Sequence, residues 1–164
     1  MSDVNQLLVI EQGKAYIYTL DERPVWEVGR MSKDVAPDIC LNVHTVSRRH
    51  GSFQNMDGNW FYIDRNGKNG TTCRGRKVGT GIGGRTKPVM LKDGDVLVFG
   101  GGENGVVCDK TALAVFCTHR IDSSLKKVDT KQYNEADAGT VIKSDDGLTV
   151  VMGDYSYIIE YIMI

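Results

Sequence analysis

The sequence predicts an all-β protein, an antiparallel β-sandwich followed by a short β-rich C-terminal extension. Three observations carry that expectation. Short runs of β-branched and aromatic residues recur almost from end to end. Turn residues separate them at close intervals, Asp57-Gly58 and Asp93-Gly94 among them. No apolar stripe of helical period is found before Ser123.

Taken in order, residues 7–10, 14–20 and 24–28 read as strands, being rich in Val, Ile, Tyr and Trp. Residues 51–54 and 59–63 flank Asp57-Gly58, a dipeptide suited to a reverse turn between antiparallel strands, and predict a hairpin. Residues 88–91 and 95–99 flank Asp93-Gly94 in the same manner, and residues 111–117 form one more apolar run. A domain boundary is expected after residue 121, with residues 1–121 forming the sandwich and 122–164 a linker and extension. Residues 123–138 are polar and of mixed charge, which suits a linker or a short surface helix around Glu135-Ala136-Asp137-Ala138. Residues 140–143 and 148–152 predict a hairpin about Asp145-Asp146-Gly147. Residues 155–164 are too apolar to hang in water, so they are expected to dock on the sandwich or on another chain.

Composition limits the function classes. With 41% hydrophobic and 25% charged residues in 164, the chain has enough apolar side chains for one ordinary core. A formal net charge of −1 gives no global basic footprint for nucleic acid or an anionic membrane. Residues 1–6 are polar and carry no basic segment before an apolar core, so no secretory signal is expected, and no run approaches membrane-spanning length. Cys40, Cys73, Cys108 and Cys117 form no C-x-x-C pair and have no accompanying His spacing, which favours reduced thiols, no metal and a cytoplasmic location.

Three segments carry the chemistry: Val28-Gly29-Arg30, Val46-Ser47-Arg48-Arg49-His50-Gly51, and Asp64-Arg65-Asn66-Gly67-Lys68-Asn69-Gly70-Thr71. A phosphate dianion needs cations, short hydroxyl donors and backbone N–H groups converging on one point, because charge-assisted hydrogen bonds are the strong ones. Arg30 offers a planar fork of donors, Ser47 a compact hydroxyl and Arg48 a second cation. The glycine-flanked turn at residues 67–70 can present backbone N–H groups, and Asn69 adds an amide donor and a carbonyl acceptor.

In their order, spacing and strand-loop context these segments resemble the forkhead-associated (FHA) domain, a phosphothreonine-binding module. The resemblance covers most of residues 7–118. Residues 38–41 look like the strand before the serine-containing loop, and residues 91–100 look like the family's closing hairpin. The resemblance implies a rigid sandwich whose loops hold the peptide, with Arg30, Ser47, Arg48, Lys68 and Asn69 at the phosphopeptide and Gly29, His50, Gly70 and Thr71 supporting them. It also implies a phosphothreonine-containing protein as partner, a Ser/Thr kinase upstream, no cofactor and no catalysis; no Ser-His-Asp, Cys-His or kinase signature is found either. Two residues depart from the family pattern. Lys68 stands where many members have Thr, and Arg48 where a small polar residue is common, so both add positive charge.

Each residue also has a plain structural reading: Arg30 pairing with Asp38, Ser47 an ordinary turn serine, Asn69-Gly70 a hairpin turn. Residues 79–86 satisfy G-x-G-x-x-G, yet Pro88 and a β-type run follow instead of the helix that a phosphate-binding glycine loop requires. A long glycine-rich loop is the better reading. No acidic residue lies between Asp64 and Asp93, whereas Arg65, Lys68, Arg74, Arg76, Lys77, Arg85, Lys87 and Lys92 do. If these face the peptide, acidic residues after the phosphothreonine are favoured. Two other functions compete: a phosphate-independent structural or oligomerisation protein working through the C-terminal segment, and a binder of single-stranded nucleic acid or another polyanion through the basic loop 65–92.

Overall fold

A computed structural model describes residues 4–12, 14–79, 86–102, 110–118, 120–121, 126–129, 141–144, 147–152 and 155–162. Two sheets face each other. The first contains β1 (Gln6–Glu11), β2 (Lys14–Thr19), β7 (Thr71–Cys73), β8 (Arg76–Gly79), β10 (Val96–Phe99) and β11 (Ala112–Cys117), in the order β2-β1-β11-β10-β7-β8. The second contains β3 (Val25–Arg30), β4 (Ile39–Leu41), β5 (Gly51–Met56), β6 (Asn59–Asp64) and β9 (Val89–Met90), in the order β4-β3-β5-β6-β9. Successive side chains of a strand point to opposite faces, so every second residue is available for a shared core. Leu7 and Val9, Trp26 and Val28, Ile39 and Leu41, Trp60 and Tyr62, and Leu97 and Phe99 supply it. Phe53, Tyr62 and Phe99 stack through its centre, with ring centroids 5.1 and 5.6 Å apart. Each such side chain fully buried contributes about 1.5–3 kcal/mol, which makes this cluster the main source of stability.

One pairing departs from the antiparallel rule: β3 and β4 run parallel, Val28 opposite Ile39 and Arg30 opposite Leu41. The Asp38 carboxylate explains the placement. It accepts the Glu27 N–H at 2.8 Å on the edge of β3 and pairs with Arg23 at 2.6 Å, fixing the start of β4 beside β3. The two Asp-Gly turns also behave differently. Asp57 and Gly58 have φ of 54° and 86° and close the expected β5–β6 hairpin. Asp93-Gly94 does not close a hairpin, because β9 pairs with β6 in one sheet whereas β10 pairs with β7 and β11 in the other. Here the turn is a corner between sheets, held by Lys92 N–H to the Asp95 carboxylate at 2.7 Å and Gly94 N–H to Phe116 C=O at 2.7 Å.

The C-terminal strands form a third sheet. It comprises β12 (Arg120–Ile121), β13 (Lys126–Asp129), β14 (Val141–Ser144), β15 (Gly147–Met152) and β16 (Tyr155–Ile162), with β14-β15-β16 in series and β12 and β13 both paired to β16. The expected hairpin is present, Ser144 lying opposite Gly147. Residues 126–129 are a strand where a linker was expected, because β16 offers them four pairing positions. The expectations for a helix around 135–138 and for the glycine-rich loop fall on residues 130–140 and 80–85, outside the described residues.

Candidate functional site

The loop of residues 42–50 is fastened at its entrance and along its length. At the entrance the Glu11 carboxylate, 2% exposed, accepts the Asn42 N–H at 2.9 and 2.8 Å, the Asn42 Nδ2 at 3.1 Å and the Val43 N–H at 3.3 Å. Further on, the loop lies against the end of β3. Arg30 N–H donates to Ser47 C=O at 3.1 Å, Arg30 Nε to Val46 C=O at 3.1 Å, and His50 N–H to Val28 C=O at 3.0 Å. Gly29 permits this approach, since a Cβ there would stand 2.0 Å from the Arg48 carbonyl oxygen.

His50 ties this loop to the turn after β6. Its ring is fully buried and edge-on to Phe99 at 5.5 Å. Nδ1 accepts the Ser47 N–H at 3.0 Å, so the proton sits on Nε2, which faces Gly70 C=O at 3.1 Å and Thr71 Oγ1 at 2.7 Å. Thr71 passes the chain on by donating to Asp64 Oδ1 at 2.7 Å, where the Tyr62 hydroxyl also donates at 2.7 Å, and Asp64 Oδ2 accepts the Asn66 N–H at 2.9 Å. Burial holds the His50 imidazole below its ordinary range, against the pull of Asp64 and the Gly70 carbonyl, and keeps the neutral form that this pattern needs. Gly67 leaves space for the ring, a Cβ there falling 2.3 Å from it.

Ser47 joins the two loops at the surface. Its Oγ accepts the Lys68 N–H at 2.9 Å, which leaves the hydroxyl proton to donate outward. Asn69 Nδ2 donates to Thr45 C=O at 3.0 Å, bracing the serine loop from the other side. Beside Ser47 opens a hollow of about 560 Å³ lined by Arg30, Asp34, Val35, Ser47, Arg48 and Arg49. Three arginines and a serine share its lining with one acidic residue, a balance of charge that suits a doubly charged anion. Among the described residues no cluster of His, Cys, Asp and Glu could hold a metal ion, and no helix is long and apolar enough to cross a membrane.

Arg30, Ser47 and Arg48 thus share one hollow, whereas Asn69 and Lys68 meet it through Thr45 and Ser47. Arg30 does not pair with Asp38, which is held by Arg23 and Glu27. Nor is Asn69-Gly70 a hairpin turn, since it links β6 in one sheet to β7 in the other. Arg49, Asp34, Glu11 and Asp64 were not singled out from the sequence. Arg49 adjoins Arg48 and could have been named, but the two buried carboxylates carry no local signal. Of the basic residues between 65 and 92, Arg65 pairs with Glu27 at 2.8 Å and Arg74 with Asp95 at 3.1 Å, so these two are already partnered.

The sequence model of the FHA domain matches residues 26–100. No curated protein matches the chain by sequence. Solved structures of similar fold include full-length yeast Pml1p, 22% identical, covering 70% of this chain and 81% of its own, with a TM-score of 0.54. The FHA domain of CT664 from Chlamydia trachomatis is 20% identical, covering 71% and 99%, with a TM-score of 0.54. The N-terminal FHA domain of S. cerevisiae Rad53p, in complex with a phosphothreonine peptide, is 24% identical, covering 70% and 93%, with a TM-score of 0.52. At these identities the structural likeness is one of fold. The match over residues 26–100 identifies that segment as an FHA domain, a family whose members are non-catalytic binding modules.

Proposed function

We propose that the protein is a phosphothreonine-dependent adaptor that docks segments phosphorylated by a Ser/Thr kinase and performs no chemistry on them. The observation that carries this is the hollow lined by Arg30, Arg48, Arg49 and the Ser47 hydroxyl, whose oxygen already accepts a backbone N–H and so presents its proton. Arg30 forks onto phosphate oxygens and Ser47 donates to a third. Arg48 and Arg49 add charge, Lys68 stands at the rim, and Asn69 bonds the peptide backbone. Rad53p, which shares the fold, is known in complex with a phosphothreonine peptide. The test is calorimetric titration of the full chain with a degenerate phosphothreonine peptide pool and its unphosphorylated counterpart. A hydrogen bond to a charged group contributes about 1.5–3 kcal/mol, so Arg30→Ala and Ser47→Ala should each weaken binding roughly tenfold to a hundredfold. Equal affinity for the two pools, or wild-type affinity in both variants, rejects the proposal.

A further inference from the structure

A second hollow opens beside the one proposed for phosphate. It encloses about 270 Å³ and shares Val35, Arg48 and Arg49 with its larger neighbour of about 560 Å³, so the two adjoin. Their common wall is fixed in place. Ser32 N–H donates to Val35 C=O at 2.9 Å, and Val35 N–H donates to Ser32 Oγ at 3.1 Å. Ala36 and Pro37 continue that wall to Asp38, whose carboxylate accepts the Glu27 N–H at 2.8 Å. On the other side Glu27 and Arg65 line the hollow and pair at 2.8 Å.

The charges there are only partly balanced. Glu27 meets Arg65, whereas the guanidinium groups of Arg48 and Arg49 pair with no carboxylate or carbonyl among the described residues. The Arg65–Glu27 pair is itself half-exposed, and ion pairs of that kind hold weakly, so Arg65 can turn to a ligand at small cost. Arg30, Arg48, Arg49 and Arg65 line the two hollows, and Lys68 stands beside Ser47, against the carboxylates of Asp34 and Glu27 alone. A phosphate carries up to about two negative charges at neutral pH. With five cations against two carboxylates, such a phosphate leaves one positive charge unmatched.

We infer that the smaller hollow is a second anion subsite, which takes the carboxylate of an acidic residue on the same phosphopeptide between Arg49 and Arg65, its methylene stem lying on Val35 and Pro37. The inference rests on the phosphopeptide reading above and adds a second prong to it. Adjoining hollows of these volumes have centres about 10 Å apart, a distance that about three residues of extended chain cover. The acidic residue therefore stands within about three or four positions of the phosphothreonine.

The experiment is calorimetric titration of the full chain with phosphothreonine peptides of otherwise uncharged sequence, in which glutamate replaces glutamine at one position at a time on either side of the phosphothreonine. One position should bind about two- to fivefold more tightly with glutamate, the effect of a single partly exposed ion pair. Arg65→Ala should abolish that preference, whereas Lys87→Ala, which removes an exposed charge lining neither hollow, preserves it. Glu27→Gln takes away the competing carboxylate and should enlarge it. Phosphoserine at the preferred position should bind no more tightly than glutamate; a clear gain assigns the hollow to a second phosphate and overturns the carboxylate. Equal effects of glutamate at every position, no effect at any, or a preference that survives Arg65→Ala overturns the inference and leaves the phosphate site standing. Absence of binding by every phosphothreonine peptide overturns the phosphopeptide reading and this inference together.

Discussion

Replacement of His50 by alanine tests whether the loop of residues 42–50 and the turn after β6 are held as one unit. The imidazole is fully buried, bonds Ser47 on one side and the Gly70–Thr71 segment on the other, and packs on Phe99. Its loss leaves a ring-sized hole, and large-to-small core substitutions of this kind cost about 2–5 kcal/mol. The orphaned polar groups add little. Gly70 C=O still accepts the Gly100 N–H at 3.0 Å, Thr71 still donates to Asp64, and the half-exposed Ser47 N–H can turn to water. A loss of about 2–4 kcal/mol is therefore expected, well inside a typical stability of about 5–15 kcal/mol, so the variant stays folded. For a chain of this length that lowers the melting temperature by on the order of 10 °C. Proton linkage supplies an independent measure. Burial keeps the folded His50 pKa below its ordinary value of 6.5, so as pH falls the unfolded chain takes up this proton first. The contribution of His50 to stability is full above about pH 6.5, declines below that, and declines no further once the folded pKa is passed. Urea unfolding of wild type and His50→Gln at about pH 7.5 and 5.5 isolates it, since the carboxylates common to both proteins cancel in the difference. The free protein is used because the ligand's phosphate itself titrates near about pH 6. An alanine variant as stable as wild type, or identical pH dependence in wild type and His50→Gln, would show that the ring is not the neutral bridge described.

Three further outcomes are expected. Gly29→Ala brings a Cβ to 2.0 Å from the Arg48 carbonyl, which the backbone cannot vacate cheaply; it should cost about 1–3 kcal/mol in urea unfolding and weaken phosphopeptide binding in calorimetry. Glu11→Gln turns an amide NH₂ toward the donors of Asn42 and Val43, so about 1–3 kcal/mol is lost and amide hydrogen exchange should quicken across residues 42–47. Matched phosphothreonine and phosphoserine peptides should differ several-fold in favour of threonine, because burying one methyl group contributes about 0.8 kcal/mol; equal affinities would show that no pocket receives the methyl.

The strands were legible because their information is local. Alternating apolar residues and Asp57-Gly58 specify β5, β6 and the turn between them without reference to the rest of the chain. The meeting of Arg30, Ser47 and Asn69 was legible only as a pattern of three distant segments. None of the three is distinctive alone. What local chemistry left open was partnership. Asp93-Gly94 has the same turn preference as Asp57-Gly58, yet its flanking strands belong to different sheets, since cross-strand pairing and burial outweigh what a turn can dictate. Asn69-Gly70 likewise links sheets, and two charges of the basic segment, Arg65 and Arg74, are already paired with Glu27 and Asp95. The Glu11 carboxylate bonds groups 31 and 32 residues away and was invisible for the same reason. The sequence by itself determined where most strands of the sandwich form and which side chains the proposed phosphate site draws on. Tertiary structure decided which strands pair, which charges are already taken, and that a buried neutral histidine holds the two loops together, because those outcomes depend on contacts between residues far apart in the chain.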